Sequence, residues 1–235
     1  MRFFSRKSKP ETAEEKLRRE AEQGDPKAQF RLGRCFEKGQ GVAQDKAEAA
    51  RWYRKAAEQG DASAQNNLGF MYLHGDGVAK DPKEACRWFS AAAEQGNASA
   101  QNNLGHCFEK GIGVGLDRAE AARWYRKAAD QGWPQAMNCL ACLYYYGFGV
   151  EESDDEAFRL WKAAAEAGER GALENLAFCY ETGVGTEKDL EEAEKWYAKA
   201  QEARRAAAKA DPHHTREQSD MEETMASLRR FLRKN

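Results

Sequence analysis

Proline is scarce, with five in 235 residues, and no glycine lies before position 24 or after position 185. No apolar run approaches the roughly 18 to 20 residues that span a bilayer, so no transmembrane segment is expected. Neither sign of charge dominates: 37 Lys and Arg stand against 39 Asp and Glu, a formal net charge of −2. That balance argues against nucleic acid as the partner, which would need a broadly basic surface. The opening MRFFSRKSKP carries basic charge with no apolar stretch behind it, so no secretory signal is expected. The six cysteines, at 35, 86, 107, 139, 142 and 179, are expected as free thiols in a reducing compartment, and the expected location is cytoplasmic. Hydrophobic residues reach only 41%, yet aromatics make up 11% with six Trp, too many for a disordered chain. Twenty glycines confined to one stretch read as punctuation rather than as a flexible linker.

The punctuation has a period. Gly24, Gly60, Gly96, Gly132 and Gly168 follow one another at intervals of 36 residues, which defines five repeats: 24–59, 60–95, 96–131, 132–167 and 168–203. Counting each of these glycines as offset 1, offset 5 is always Ala and offset 9 always Leu. Offset 13 is always aromatic (Phe36, Tyr72, Phe108, Tyr144, Tyr180), and offsets 16 and 18 are Gly in every copy. Offset 29 is Trp52, Trp88, Trp124, Leu160 and Trp196, followed by a second aromatic.

Each repeat reads as two helices. Offsets 5, 9, 12 and 13 form the stripe of a first helix, which the Gly at offset 16 ends by adopting a left-handed conformation. Val42, Val78, Val114 and Val150 follow as an apolar plug. Asp45/Glu48, Asp81/Glu84, Asp117/Glu120, Ser153/Glu156 and Asp189/Glu192 have the spacing of a capping box that opens the second helix. Offset 10 is small throughout (Gly33, Gly69, Gly105, Ala141, Ala177), as close helix packing requires. One helix pair cannot bury both stripes, whereas a stack can.

The motifs A-x-x-x-L-G-x-x-[FY]-x-x-G-x-G-V and A-x-x-W-[YF]-x-x-A resemble the Sel-one-like repeats, relatives of the tetratricopeptide repeats, over 180 of the 235 residues. The local departures are Leu160, Thr186 and Ser153. The resemblance implies an all-α fold, an α/α superhelix (solenoid) of five helix-turn-helix repeats with a concave groove. Residues 1–23 are expected to hold a tail and a half-repeat capping helix with Thr12/Glu15 as its box. Residues 204–235 are expected to extend the last helix to about Ala210, then loop into an amphipathic helix beginning at Ser219/Glu222. That helix has two readings. Met221, Met225, Leu228 and Leu232 suit a cap on repeat five, while Arg229, Arg230, Arg233 and Lys234 suit docking to a partner or anionic surface.

Where the first helices line the groove, as the resemblance implies, offsets 8, 11 and 15 form its working stripe. The candidate groove residues are Arg31, Arg34, Lys38, Asn67, Phe70, His74, Asn103, His106, Lys110, Tyr145, Tyr146, Asn175 and Phe178. In-register Asn side chains can offer a donor and an acceptor to an extended peptide backbone, and the related repeats hold peptides through an Asn at this position. Repeat four adds Trp133, Tyr145, Tyr146 and Phe148, aromatics of the kind that anchor interfaces. Charge divides along the chain: residues 1–131 are net +4, repeats four and five net −9, and the tail 204–235 net +3.

The expected function is a non-catalytic scaffold or adaptor that binds a partner protein or extended peptide, with no cofactor and no metal. Cys139, Cys142 and His106 offer a conceivable ligand set that lacks a fourth member, and His213-His214 falls in a loop. The alternative, by family analogy alone, is a hydrolase or binder of a β-lactam or cell-wall-like substrate. No S-x-x-K or K-T-G element supports it.

Overall fold

The computed structural model describes residues 12–210. The tail 1–11, the expected C-terminal amphipathic helix and His213-His214 lie outside the described residues. Within them are eleven helices and no strand. They are α1 (Ala13–Glu22), α2 (Pro26–Lys38), α3 (Lys46–Glu58), α4 (Ala62–His74), α5 (Pro82–Glu94), α6 (Ala98–Lys110), α7 (Arg118–Asp130), α8 (Pro134–Tyr146), α9 (Asp154–Glu166), α10 (Arg170–Thr182) and α11 (Leu190–Ala210). α1 precedes the repeats; from α2 onward even-numbered helices are the first of each repeat and odd-numbered ones the second, an all-α solenoid architecture repeated five times. The chain divides into two compact units. The first runs to Ala136 and takes in Phe148–Val150; the second comprises Met137–Gly147 and the residues from Glu151 onward. No helix among the described residues is long and apolar enough to cross a membrane.

The sequence places the helix ends, but the capping chemistry differs from the expected boxes. Asp45, Asp81, Asp117, Ser153 and Asp189 each accept a hydrogen bond from the backbone N–H three residues on, as N-caps do. The return bond from Glu is replaced. The cap N–H donates instead to the offset-13 carbonyl, Asp45 to Phe36 and Asp81 to Tyr72, both at 2.9 Å. The freed Glu side chains pair with the cation one turn later, such as Glu48 with Arg51 at 3.1 Å and Glu120 with Arg123 at 3.0 Å. Only Thr12/Glu15 closes a full box among the described residues. The first helices also carry caps, Asp25, Asp61, Asn97 and Glu169, which the periodic pattern did not single out.

In the first unit the second aromatic of each repeat is the centre of the core: Tyr53, Phe89 and Tyr125 are all fully buried. Offset 10 must be small because a Cβ on Gly69 would lie 2.8 Å from two ring carbons of Phe89. Val78 and Val114 pack against the core clusters of their units as plugs. Gly77, at φ +68°, presses against the first turn of α3, where a Cβ would come within 2.2 Å of the Lys46 carbonyl oxygen.

Buried glutamines stitch successive repeats together. Gln29, Gln65 and Gln101 donate through Nε2 to the carbonyls of Ala21, Ala57 and Ala93, each at 3.1 Å. Their Oε1 atoms accept from Gln59, Gln95 and Gln131 at 2.7, 2.7 and 2.8 Å. Both groups of each buried amide are thus satisfied. The second unit abandons this clip in a concerted way. Met137 with Ala167, and Leu173 with Ala203, replace both glutamines of the pair, so no buried amide is left without a partner.

Candidate functional site

In the first unit, α2 carries Arg31, Arg34 and Lys38 on one exposed face. Arg34 lies over the ring of Phe30, 5.9 Å from its centroid, an aromatic that the stripe at offsets 8, 11 and 15 does not include. Next to it α4 exposes Phe70, 47% accessible, whose ring lies 4.2 Å from that of His74. Lys38, Lys46, Phe70, Met71 and Asp76 contribute to an open pocket of about 340 Å³, with Lys46 and Asp76 paired at 2.6 Å. The sequence reading missed Lys46, Met71 and Asp76, because only packing of one repeat on the next brings them beside Phe70.

The groove asparagines also make bonds between repeats. Asn103 donates to Asn66 Oδ1 at 3.0 Å, tying α6 to α4. In the second unit Asn175, 4% exposed, makes the same bond to Asn138 at 2.8 Å. Asn67 hydrogen-bonds the Tyr53 hydroxyl, which itself donates to Glu37 at 2.6 Å. Burial first, and then the Glu37 carboxylate, push the Tyr53 pKa well above the usual phenol value. Each of these amides thus makes one bond that joins repeats, beside the exposed cations and rings of the face.

His106 keeps exposed surface, yet the protein packed around it lowers its pKa by desolvation. Lys110 adds to that effect and Glu109 opposes it. Lys110 is exposed, with its Nζ 2.7 Å from Glu109.

The second unit gathers aromatics. Tyr145 lies 4.8 Å from Tyr146, 5.5 Å from Trp161 and 5.9 Å from Phe178, ring centroid to centroid. The structure thus joins three predicted residues to Trp161, a buried ring that the sequence reading placed only in the core pattern. Trp133 and Phe148 belong to the first unit: Trp133 is half-buried, and Phe148 is exposed with the Arg118 guanidinium 4.2 Å from its ring centroid.

The five copies of the two-helix unit match the Sel1 repeat model at residues 26–61, 62–97, 98–133, 134–169 and 171–203. The chain belongs to the Sel1 repeat family. It is similar to a protective antigen of uropathogenic Escherichia coli displaying an SLR fold, with 38% identity and a TM-score of 0.75, over 80% of this chain and 41% of that one. The chain therefore spans about two fifths of the length of that protein. A Sel1 repeat protein from Oxalobacter formigenes is 36% identical with a TM-score of 0.75, over 83% of this chain and 80% of that one. An immunity protein from Pseudomonas aeruginosa, 20% identical with a TM-score of 0.53 over 80% and 72% of the two chains, shares the fold alone. No curated protein matches the chain.

Sel1 repeats generally serve protein–protein interaction. The exposed cations and rings of this Sel1 chain suit recognition, and its core thiol Cys107 is a poor nucleophile. Cys107 is fully buried, and its contact with Cys86, followed by burial, pushes its pKa well above the usual thiol value. Cys139 and Cys142 are half-buried. Among the described residues no group of three or more His, Cys, Asp or Glu could hold a metal ion.

Proposed function

We propose that this Sel1 repeat protein is a non-catalytic scaffold that binds an extended segment of a partner protein along its first-helix faces. The observation that carries this reading is Phe70. A large apolar ring stands 47% exposed on a helix whose Leu68 and Met71 are buried, and it is flanked by the exposed Lys38 and His74. An apolar anchor with a polar surround is the usual anatomy of a binding hot spot. In the second unit the half-buried Tyr145, Tyr146 and Phe178 offer a second anchor of the same kind. A cytoplasmic location belongs to the proposal and is supported by six free thiols.

Site-specific photocrosslinking tests it. A crosslinking amino acid at position 70 is expected to capture a defined partner that one at exposed Arg123 does not. Capture from position 123 alone would move the interface to the second helices. Turnover of a chromogenic β-lactam by the purified chain, lost on Phe70→Ala, would overturn the non-catalytic assignment.

A further inference from the structure

The face around Phe70 carries charge that its own protein does not balance. Lys27, Arg31, Arg34 and Lys38 follow one another at three- and four-residue spacings and are all exposed, so like charges are neighbours along one side of α2. The three first helices of the first unit, α2, α4 and α6, contain only two carboxylates, Glu37 and Glu109. Both are engaged by buried tyrosines: Glu37 accepts from Tyr53 at 2.6 Å and Glu109 from Tyr125 at 2.8 Å. Among the described residues no carboxylate pairs with Arg31, Arg34 or Lys38.

Three arginines on the second helices of the same unit are paired instead. Arg51, Arg87 and Arg123 each meet a Glu one turn back, at 3.1, 2.5 and 3.0 Å. At these three positions on the second helices a cation is paired locally, whereas along α2 Arg31, Arg34 and Lys38 stand unpaired and close enough to repel one another. An arrangement that keeps such repulsion in the free protein gains most from a ligand of opposite sign.

We infer that the α2–α4 face of the first unit takes an acidic extended segment of a partner protein, with its carboxylates over Arg31, Arg34 and Lys38 and an apolar side chain beside Phe70. This rests on the scaffold reading above and adds the chemistry of the partner. Protein is favoured over nucleic acid because the exposed apolar Phe70 stands beside the cations, and because the chain as a whole is net negative.

Fluorescence anisotropy with the full chain tests the inference. The probe is a short labelled peptide of Asp and Glu around a central Phe. Comparison ligands are the same peptide with Lys and Arg, a third with Ser and Asn, and a single-stranded RNA oligonucleotide. The acidic peptide is expected to bind best and to weaken as salt rises. Arg31→Glu with Arg34→Glu is expected to weaken it by about tenfold or more, while Arg123→Glu has little effect. Circular dichroism checks that each variant is folded.

Equal binding of the neutral or basic peptide, still lost on Phe70→Ala, would overturn the charge inference and leave the binding face in place. Acidic-peptide binding indifferent to both Phe70→Ala and the Arg pair would remove the face itself. Absence of acidic-peptide binding, or tighter RNA binding lost in the same Arg variant, would overturn the inference outright.

Discussion

Replacing Gly77 and Gly96 separately by Ala distinguishes two reasons a repeat needs glycine. Both have left-handed backbones, φ +68° and +88°, so an alanine at either position costs about 1–2 kcal/mol from conformation alone. Their surroundings differ. A Cβ on Gly96 meets nothing within 4 Å, whereas one on Gly77 would lie 2.2 Å from the carbonyl oxygen of Lys46 and 2.6 Å from the nitrogen of Ala47. These are backbone atoms in the first turn of α3, so no side-chain rotation relieves the clash. The loop and helix must separate by about 1 Å or more to regain ordinary contact distances. Forced separation of this kind costs about 1–3 kcal/mol beyond the conformational term. The expected totals are about 1–2 kcal/mol for Gly96→Ala and about 2–5 kcal/mol for Gly77→Ala. For a chain of this size the difference lowers Tm by about 2–12 °C more in the Gly77 variant. Thermal melts and urea titrations followed by circular dichroism read it directly. Indistinguishable melts for the two variants would refute the close approach of the loop to α3 as the reason for Gly77.

Two further predictions use pairs visible across repeats and a single titrating group. Glu37→Leu alone removes the acceptor of the buried Tyr53 hydroxyl and is expected to cost about 1–3 kcal/mol. Adding Tyr53→Phe creates the pair that repeat two already uses, Phe89 with Leu73, and is expected to recover most of that loss. A double variant no more stable than Glu37→Leu in urea would count against the hydrogen bond. His106 has its pKa lowered, chiefly by burial, so the unfolded chain takes up that proton first. Its contribution to stability is therefore intact above about pH 6.5, the unfolded imidazole value, and is lost as pH falls below it. His106→Asn should flatten the dependence of the urea midpoint over this window, and an unaltered dependence would show that the group titrates normally.

Much of the fold was readable because repetition states the same local rule five times. The aromatic at offset 13, the Gly at offset 16 and the Asp or Ser at offset 22 act within one helix or its turn, and each needs only neighbours close in sequence. The caps of the first helices carry a local signal too, since Asp25, Asp61 and Asn97 recur in register. A subtler signal also lay in the chain: Glu at offset 14 accompanies Tyr at offset 30 in repeats one, three and five, and Leu accompanies Phe in repeat two. That pairing matches the Tyr53–Glu37 hydrogen bond. The candidate site was less legible. The spacing put Arg31, Arg34 and Lys38 on one side of α2, but it could not tell that Asn103 and Asn175 would each give a donor to Asn66 and Asn138.

The sequence by itself determined the number of repeats, the helix pairs and the aromatic core, because helix periodicity and chain reversal depend on residues a few positions apart. Tertiary structure alone decided which polar groups remain available. The bonds that consume them, from Gln59 to Gln29 and from Asn103 to Asn66, join residues 30 and 37 positions apart. Whether a side chain faces a partner or its neighbouring repeat depends on distances set by packing, to which the spacing of residues along the chain is blind.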